Sequence, residues 1–447
     1  MESRYTSRPT TFDHTSREWP NKRLLKAPVI FSTDLRDGNQ ALPDPMTFEQ
    51  KLEMYHLLVD IGFKEIEVGF PLASQLEFDF VRHLATTPGL VPDDVQIQVI
   101  TLCREDAIKR AADALRGIKR VILQTYLPSS DNYRNTILQI SEEEWIEQAR
   151  KMTAYARSIT KDSAQSEGTE WTYNFAFEDF SNARVDAVLR CAEAITDAWE
   201  PSANRDLMLT LAASMETIGP HVFADQVEYV HQNLSRRDQI RLSVHTHNDR
   251  GCAIASAELG ALAGADRVEG CLFGNGERAG NMDTVTFALN MRTQGLETGL
   301  DMSRMDHIRR TVERITQIPV HPRAPYAGKY CLRAFSGGHQ DAILKGVRLR
   351  AEAQAAGIET PYFPTWQVPY LPFDPSDTGC TLSDIIGVNS QSGKSAISWI
   401  LLEKMGVVLA KQQAQEMAAV AKQSSSTVGR MLSTNEICDM YLQRVAT

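Results

Sequence analysis

Acidic and histidine side chains occur in three short segments, in a pattern that could bind a divalent cation. Asp37 lies in DLRDGNQ, His245 and His247 lie two positions apart in HTHND, and Asn281 ends GNGERAGN. Residues i and i+2 of a β-strand point to the same side, so both imidazoles can face one centre. Two imidazoles, a carboxylate and an amide oxygen suit Mg²⁺, Mn²⁺ or Zn²⁺. They leave coordination positions open for a substrate, as Lewis-acid catalysis requires.

Strands and helices must position these segments. Through the first 300 residues, short apolar runs typical of β-strands alternate with longer helical patterns. Thr47 with Gln50, and Ser141 with Glu144, form capping boxes that open two of the helices. Eight runs are predicted as strands: Pro28–Asp34, Glu65–Phe70, Val95–Thr101, Arg120–Tyr126, Trp171–Phe177, Leu207–Ala213, Ile240–His247 and Arg267–Phe273.

Eight strand–helix units are the number that closes a (β/α)8 TIM barrel, an α/β fold. A doubly wound open sheet is the alternative, and the lack of a dinucleotide-binding fingerprint favours the barrel. In a closed barrel the first, seventh and eighth strands are neighbours, and catalytic groups lie at the carboxyl ends of strands. Asp37, His245, His247 and Asn281 are therefore expected to converge.

Each of these residues alone has an ordinary structural explanation. An isolated H-x-H is often two strand histidines with unrelated roles, and an aspartate such as Asp37 is typical of turns and helix caps. Amidohydrolase barrels also contain H-x-H, but in the first strand. Here the motif is in the seventh predicted strand, which argues against that class.

Composition is that of an ordinary globular enzyme. The chain has 447 residues, of which 43% are hydrophobic and 23% charged, and a net charge of −10. This charge excludes a global basic surface for nucleic acid or anionic membrane, and no apolar run reaches the ~18 residues of a membrane span. The seven cysteines are scattered and never form C-x-x-C, which indicates reduced thiols and a cytoplasmic location. Residues 1–27 are rich in Arg, Ser and Thr, which is typical of a mitochondrial presequence. They also contain three acidic residues and no apolar stripe, so this interpretation is the less favoured one.

Longer motifs resemble the 2-isopropylmalate synthase family, in its longer fungal and actinobacterial form, over about residues 18–445. They are DLRDGNQAL, EIEVGFP, HTHNDRG, EGCLFGNGERAGN, AFSGGHQDA, WQVPYLPFDP and VNSQSGK. Members of this metal-dependent barrel family join acetyl-CoA to a 2-oxo acid in a Claisen condensation and then hydrolyse the thioester. The resemblance implies acetyl-CoA as co-substrate and a divalent metal bound by Asp37, His245 and His247, with Asn281 as a ligand or water-mediated partner.

The resemblance also implies roles for other residues. Arg36 would stabilise negative charge on the acceptor's oxo oxygen. His339 and Tyr370 match the groups that remove a proton from the acetyl methyl, and the family supplies them from the partner subunit of a domain-swapped homodimer. From the residues alone, His339 would be an ordinary polar linker residue. Glu277, in the loop of Asn281, resembles a supporting catalytic residue.

The departures from the family are concentrated in the acceptor pocket. Gln124 replaces a common His in the fourth strand, and Phe175-Ala176-Phe177-Glu178 replaces Y-S-P-E in the fifth. Thr210-Leu211-Ala212-Ala213-Ser214 replaces N-L-P-A-T in the sixth. The predicted substrate-binding residues are Gln124, Ala176, Glu178, Thr210, Ala212 and Ser214.

The changes at 176, 212 and 214 remove volume, whereas the metal and proton-transfer residues are kept. We therefore expect a bulkier or aromatic 2-oxo acid as acceptor, such as an aryl-pyruvate, in specialised metabolism. Phe177 argues against simple enlargement. The alternative is an authentic leucine-pathway enzyme that uses 2-oxoisovalerate.

Four segments are expected: an N-terminal arm (1–27), the barrel (28–300), a linker subdomain (301–365) and a helical subdomain (366–447). Leucine-inhibited relatives carry a further regulatory domain, and we expect this chain to have none; a fragment of a longer protein would give the same sequence. Two other functions fit the barrel less well. A 3-hydroxy-3-methylglutaryl-CoA lyase would use a loop cysteine, whereas Cys271 lies within the eighth predicted strand. A non-catalytic binding subunit would have no reason to keep all the catalytic residues.

Overall fold

Eight parallel strands close into a barrel in sequence order, which confirms the predicted TIM barrel. The computed structural model describes residues 14–166, 168–361 and 363–446. The strands are β1 (Val29–Ser32), β2 (Glu65–Gly69), β3 (Gln96–Leu102), β4 (Arg120–Pro128), β5 (Glu170–Glu178), β6 (Leu207–Ala213), β7 (Ile240–Thr246) and β8 (Arg267–Gly270).

Helices alternate with these strands and continue after the barrel. They are α1 (Phe48–Ile61), α2 (Gln75–Thr86), α3 (Glu105–Leu115), α4 (Asp131–Tyr133), α5 (Glu142–Ile159), α6 (Val185–Trp199), α7 (Pro220–Asn233), α8 (Ala253–Leu262), α9 (Thr284–Thr293), α10 (Met305–Thr316), α11 (Gly337–Ala356), α12 (Leu382–Ile385), α13 (Lys394–Met405), α14 (Lys411–Val428) and α15 (Thr434–Val445). The predicted capping boxes of Thr47 and Ser141 open α1 and α5. In the described part of the chain, no helix combines the length and apolar character needed to cross a membrane.

The chain divides into two compact units. The first comprises the residues up to Asp301 together with Thr311–Ile318, and the second comprises Met302–Arg310 and the residues from Pro319 onward. The core of the second unit is helical and includes Ile343, Ile385, Ile397, Leu401 and Ile437.

The segment before β1 is fastened to the outside of the barrel unit. Arg17 forms an ion pair with the buried Asp225 of α7, and Trp19 Nε1 donates to the same carboxylate at 2.8 Å. Lys22 Nζ lies 3.1 Å from Glu228, one turn further along α7. These contacts make the described end of the predicted N-terminal arm part of the first unit.

Several predicted strands extend past the observed ones, and two of the residues so affected, His247 and Cys271, bear on the site. β7 ends at Thr246, so His247 follows the strand, and β8 ends at Gly270, so Cys271 follows it as well. The reason is a returning segment: His247 pairs with Asn281, and Cys271 pairs with Asp283, in isolated bridges. The segment with Asn281 and Asp283 therefore forms the backbone contacts of His247 and Cys271 at the carboxyl face of the barrel.

Candidate metal centre and substrate cavity

Three of the four predicted metal-binding residues, Asp37, His245 and His247, converge at the carboxyl face of the barrel. His245 Nε2 and His247 Nε2 are 3.1 Å apart, and Asp37 Oδ2 lies 3.3 and 3.8 Å from them, respectively. All three side chains are buried, and one ligand atom from each lies within 4.8 Å of the others. Asp37 is held there by a π-helical turn, Asp34–Gly38, that follows β1.

Charges around the triad favour a cation. Burial by itself would raise the pKa of Asp37, but Arg36 and the two imidazoles more than offset it and hold that pKa well below its usual range. Burial lowers the pKa of His245, yet hydrogen bonds with Asp37 and Glu269 raise it to about 9. Burial and the neighbouring His245 lower the pKa of His247 to about 3. One positive charge, a proton on His245, is thus stabilised at the triad, and a metal ion bound by this imidazole would take the place of that proton.

Asn281 provides an independent test of whether the site fits a metal. Its Nδ2 lies 2.6 Å from Asp37 Oδ2, and its Oδ1 is buried with no hydrogen-bond partner in the described part of the chain. Rotating the amide by half a turn would direct Oδ1 towards Asp37 as a fourth oxygen or nitrogen donor. A Cβ at Gly276 would lie only 2.5 Å from Oδ1, so this glycine leaves room for the amide. The donor set fits a divalent cation.

A buried acid that the sequence analysis missed orients one of the imidazoles. Glu269 Oε2 lies 3.1 Å from His245 Nδ1. Its Oε1 accepts from Arg267 at 2.7 Å and from Ser243 at 2.7 Å. With Nδ1 donating to Glu269, Nε2 of His245 is the ring atom that would exchange its proton for a metal. The signal was present in the sequence, because Arg267 and Glu269 are charged residues two positions apart in a strand that must be buried.

Arg36 is fixed by two carboxylates. Its Nε donates to Glu67 at 2.7 Å and its Nη1 donates to Asp37 at 2.8 Å. Nη2 has no partner in the described residues, and the side chain lines the adjacent cavity. Burial by itself would lower the pKa of Arg36, but the charges of Asp37 and Glu67 outweigh this effect and raise that pKa above its usual value. The guanidinium therefore remains a cation that faces the cavity.

The cavity above the triad has a volume of about 290 Å³. Its wall contains the predicted acceptor residues together with residues that the sequence analysis had not singled out. The predicted ones are Arg36, Asp37, Gln124, Ala176, Glu178, Thr210, Ala212, Ser214, His245, His247 and Glu277. The additional ones are Gln40, Phe70, Ile100, Tyr126, Tyr133, Met215, Glu269 and Arg278. These residues come from the barrel strands and from the segments that follow the strands at the carboxyl face.

The polar side chains of the wall differ in how far their hydrogen-bonding groups are already used within the protein. Ser214 Oγ accepts from the Asp179 backbone N–H at 2.9 Å, which leaves its hydroxyl proton for a ligand. The Thr210 hydroxyl is 3.0 Å from both Asn174 Oδ1 and Glu269 Oε1 and is committed to the barrel interior. Burial, and then the charge of Asp179, raise the pKa of Glu178.

Two further predicted features are clarified by the structure. Glu277 accepts from Gln40 Nε2 at 3.4 Å near the mouth of the cavity. Phe177, which had argued against an enlarged pocket, is fully buried and packs edge-on against Trp145 and Phe175. It is not in the cavity wall, because alternation along β5 directs it away from Ala176 and Glu178.

His339 and Tyr370 belong to the second unit, where the structure brings them together. Their rings stack with centroids 3.9 Å apart, and both side chains are exposed. Tyr370 has a φ of 61°, a left-handed conformation that is uncommon outside glycine. The turn before it packs on α11 at Gly346, where a Cβ would lie 2.8 Å from Pro369. Gly346 is two helical turns from His339, so this close approach positions the tyrosine over the histidine.

Comparisons with known proteins agree with this arrangement. Residues 27–312 match the HMGL-like family, and residues 330–402 match the alpha-isopropylmalate synthase, post-catalytic domain-like family. The chain is 58% identical to isopropyl malate synthase AMT7 of Alternaria alternata over 442 residues, which are 98% of this chain and 76% of that protein. The chain belongs to the isopropylmalate synthase family.

Other isopropylmalate synthase relatives span a similar share of the chain. It is 53% identical to isopropyl malate synthase htyA of Aspergillus rugulosus, over 99% of this chain and 75% of that protein. It is 46% identical to 2-isopropylmalate synthase of Saccharomyces cerevisiae, over 96% of this chain and 68% of that protein. A solved HMG-CoA lyase from Brucella melitensis shares the fold, with a TM-score of 0.53 at 18% identity, over 66% of this chain and all of that one.

Proposed function

We propose that this isopropylmalate synthase family member condenses acetyl-CoA with a 2-oxo acid, in a metal-dependent Claisen reaction that yields a 2-alkylmalate and coenzyme A. The observation that carries this proposal is the convergence of Asp37, His245 and His247 at a cavity that also contains Arg36 and Ser214. A Mg²⁺, Mn²⁺ or Zn²⁺ ion bound by the triad and Asn281 would polarise the 2-oxo group of the acceptor.

The chain's own residues then bind and stabilise the reacting groups. The Arg36 guanidinium, held by Asp37 and Glu67, directs Nη2 to where the acceptor oxygen gains negative charge. The Ser214 hydroxyl donates to the acceptor carboxylate, because its oxygen is already occupied by the Asp179 N–H.

The proton-transfer pair is His339 and Tyr370. A base removes one proton from the acetyl methyl group, the carbanion so formed attacks C2 of the 2-oxo acid, and the resulting alkoxide oxygen takes up a proton. Water then hydrolyses the thioester and releases coenzyme A. We propose that the pair acts on the cavity of the partner subunit in a domain-swapped homodimer. The stacked, exposed geometry of the two rings and the strained backbone of Tyr370 support a role in binding or catalysis.

For the acceptor we propose a bulkier or aromatic 2-oxo acid, such as an aryl-pyruvate used in specialised metabolism. Ala176 and Ala212 leave space in the wall, and Phe177 does not fill that space. Phe70, Tyr126 and Tyr133 provide aromatic faces for a ring. The other candidate, 2-oxoisovalerate, would make the chain a leucine-pathway enzyme.

A lyase mechanism based on Cys271 has no support in this geometry. The thiol is fully buried beside Thr33, and burial raises its pKa well above the usual range. For the cell we propose a cytoplasmic location, in keeping with seven cysteines that are all unpaired.

The test of the reaction is product identification. Purified protein treated with EDTA is dialysed, supplied with Mg²⁺, Mn²⁺ or Zn²⁺, and incubated with acetyl-CoA and either phenylpyruvate or 2-oxoisovalerate. We expect metal-dependent release of coenzyme A and a product with the mass of the 2-alkylmalate. Asp37→Ala should abolish it, and the matched change Asp186→Ala on the exposed surface of α6 should not. Turnover without metal, or no alkylmalate with any metal, would refute the proposal.

A further inference from the structure

One arginine joins three segments at the carboxyl face of the barrel. Arg278 lies in the segment after β8, and it donates to Asp249 twice, from Nε to Oδ1 at 2.7 Å and from Nη2 to Oδ2 at 3.0 Å. Asp249 belongs to the segment after β7. The same Nη2 donates to the main-chain oxygen of Ser214, directly after β6, at 2.6 Å. A guanidinium can make these contacts together because its donors form a rigid planar fork.

Asp249 provides a second contact to the segment after β6. Its Oδ2 also accepts from the Glu216 N–H at 2.9 Å, so the ion pair contacts this segment on both sides of Met215. The main-chain register of β6 with β7 ends at Ala213. From Ser214 onward the backbone is therefore positioned by side chains of the neighbouring segments and not by the sheet.

The backbone of Arg278 is in an uncommon conformation. Its φ is 57°, in the left-handed region that few residues other than glycine adopt. The side chains of Arg278 and Asp249 are 43% and 23% exposed, and ion pairs that are this accessible contribute little to folding stability. Stability therefore does not explain why the strained conformation is kept, and strain of this kind is concentrated at functional sites.

The place of the Ser214 hydroxyl in the cavity wall depends on this arrangement. Its Oγ accepts from the Asp179 N–H at 2.9 Å, and its main-chain oxygen accepts from Arg278, so the side chain and the backbone each have a fixed partner. Serine has no β-branch to restrict its rotation, so these two contacts determine where the hydroxyl lies. A displacement of about 1 Å is enough to weaken the action of a group that binds substrate.

We infer that Arg278 is a positioning residue for the acceptor. Through Asp249 and the main chain of Ser214, it holds the Ser214 hydroxyl where the carboxylate of the 2-oxo acid binds. This inference rests on the proposed condensation, in which Ser214 donates to that carboxylate. It applies to aromatic and to branched aliphatic acceptors alike, because every 2-oxo acid carries the carboxylate.

The test is Arg278→Lys, which keeps the positive charge but lacks the fork that contacts Asp249 and Ser214 together. Steady-state kinetics use phenylpyruvate or 2-oxoisovalerate, whichever the unaltered enzyme prefers, with a divalent metal and acetyl-CoA. We expect the KM for the acceptor to rise roughly tenfold, because a hydrogen bond to a charged group is weakened. The kcat and the KM for acetyl-CoA should stay within about twofold, because binding that is equal in the ground and transition states affects only the KM for the acceptor.

Arg205→Lys is the matched control, in the segment before β6 and so at the amino end of the barrel. Arg205 has a φ of 55°, its Nη2 lies 2.9 Å from Asp266 Oδ1, and the same atom donates to the main-chain oxygen of Ile240 at 2.6 Å. It thus shares the backbone conformation, the ion pair and the carbonyl contact of Arg278. Its replacement should leave kcat and both KM values unchanged.

A double-mutant cycle shows whether Arg278 acts through Ser214. Ser214→Ala removes the hydroxyl, so adding Arg278→Lys to this variant should raise the KM for the acceptor by less than about twofold. Asp249→Asn weakens the same ion pair from its other side. It replaces Arg278→Lys in both comparisons if that variant fails to fold.

The outcomes separate this inference from the proposed function. An unchanged KM for the acceptor in Arg278→Lys would overturn the inference and leave the condensation intact. A tenfold rise that persists in the Ser214→Ala background would also overturn it, because Arg278 would then not act through the hydroxyl. If the unaltered enzyme forms no alkylmalate, the proposed function fails, and the role of Ser214 fails with it.

Discussion

His245 Nδ1 lies 3.1 Å from Glu269 Oε2, and this contact directs Nε2 of the same ring towards Asp37 and His247. The acid is itself held by Arg267, whose side chain is fully buried. The candidate metal centre thus depends on a chain of contacts that begins at Arg267, at the start of β8. Partners of this kind fix both the tautomer and the orientation of a ligating imidazole.

Glu269→Gln should weaken metal binding about 10- to 100-fold. Arg267 and Ser243 would keep the amide oxygen on their side, so the NH₂ group would face His245 Nδ1 and move the ring proton to Nε2. Metal affinity is measured by competition with a chelating dye. The control is Glu65→Gln, another buried acid that pairs with Arg267 but is bound to no histidine. Equal losses in both variants would show that Glu269 acts only through folding.

Mixing of subunits tests the proposed partner-supplied base. Asp37→Ala and His339→Ala should each be inactive alone. In a heterodimer of the two, one of the two sites would combine an intact Asp37 with an intact His339, so about half the normal activity should return. The measurement uses two affinity tags to isolate the heterodimer. An inactive heterodimer would place the base on the same chain as its cavity.

Asp34 should make stability depend on pH. Burial raises its pKa from 3.8 to about 7, despite hydrogen bonds from Ser32 and Leu272 that lower it. The folded state therefore holds this proton more tightly than the unfolded chain, and the stabilisation is complete below about pH 4 and lost as pH rises towards 7.

The variant Asp34→Asn has no proton to lose at this position. Relative to it, the unaltered protein should lose up to about 4 kcal/mol in free energy of unfolding between pH 4 and pH 7. Urea unfolding of both proteins across this range measures the difference. A difference that stays constant with pH would contradict a raised pKa for Asp34.

Much of the fold could be predicted from the sequence, because the strands are short apolar runs at regular intervals. Leu207–Ala213 was predicted with its observed bounds. One error lies where tertiary pairing ends a strand. The apolar pattern continues to Phe273, but β8 ends at Gly270 because the segment containing Asp283 pairs there instead. The attachment of Trp19 to Asp225 was not predicted, since no local pattern connects residues 206 positions apart.

In the candidate site too, local spacing could be predicted from the sequence, whereas contacts between distant strands could not. The spacing of His245 and His247 indicated that the two rings face one centre, and their Nε2 atoms do meet. Sequence could not show that Gln98 and Asn174 fix the amide of Gln124, because those contacts join three different strands. The roles assigned to His339, Tyr370 and Glu277 remain predictions.

The most direct test of the account is the ratio of kcat/KM for phenylpyruvate to that for 2-oxoisovalerate, measured as release of the free thiol of coenzyme A with saturating acetyl-CoA and a divalent metal. The space left by Ala176 and Ala212, and the aromatic faces of the cavity wall, predict a ratio of roughly ten or more. A ratio below one would contradict the account and identify the chain as a synthase that acts on the branched aliphatic acceptor.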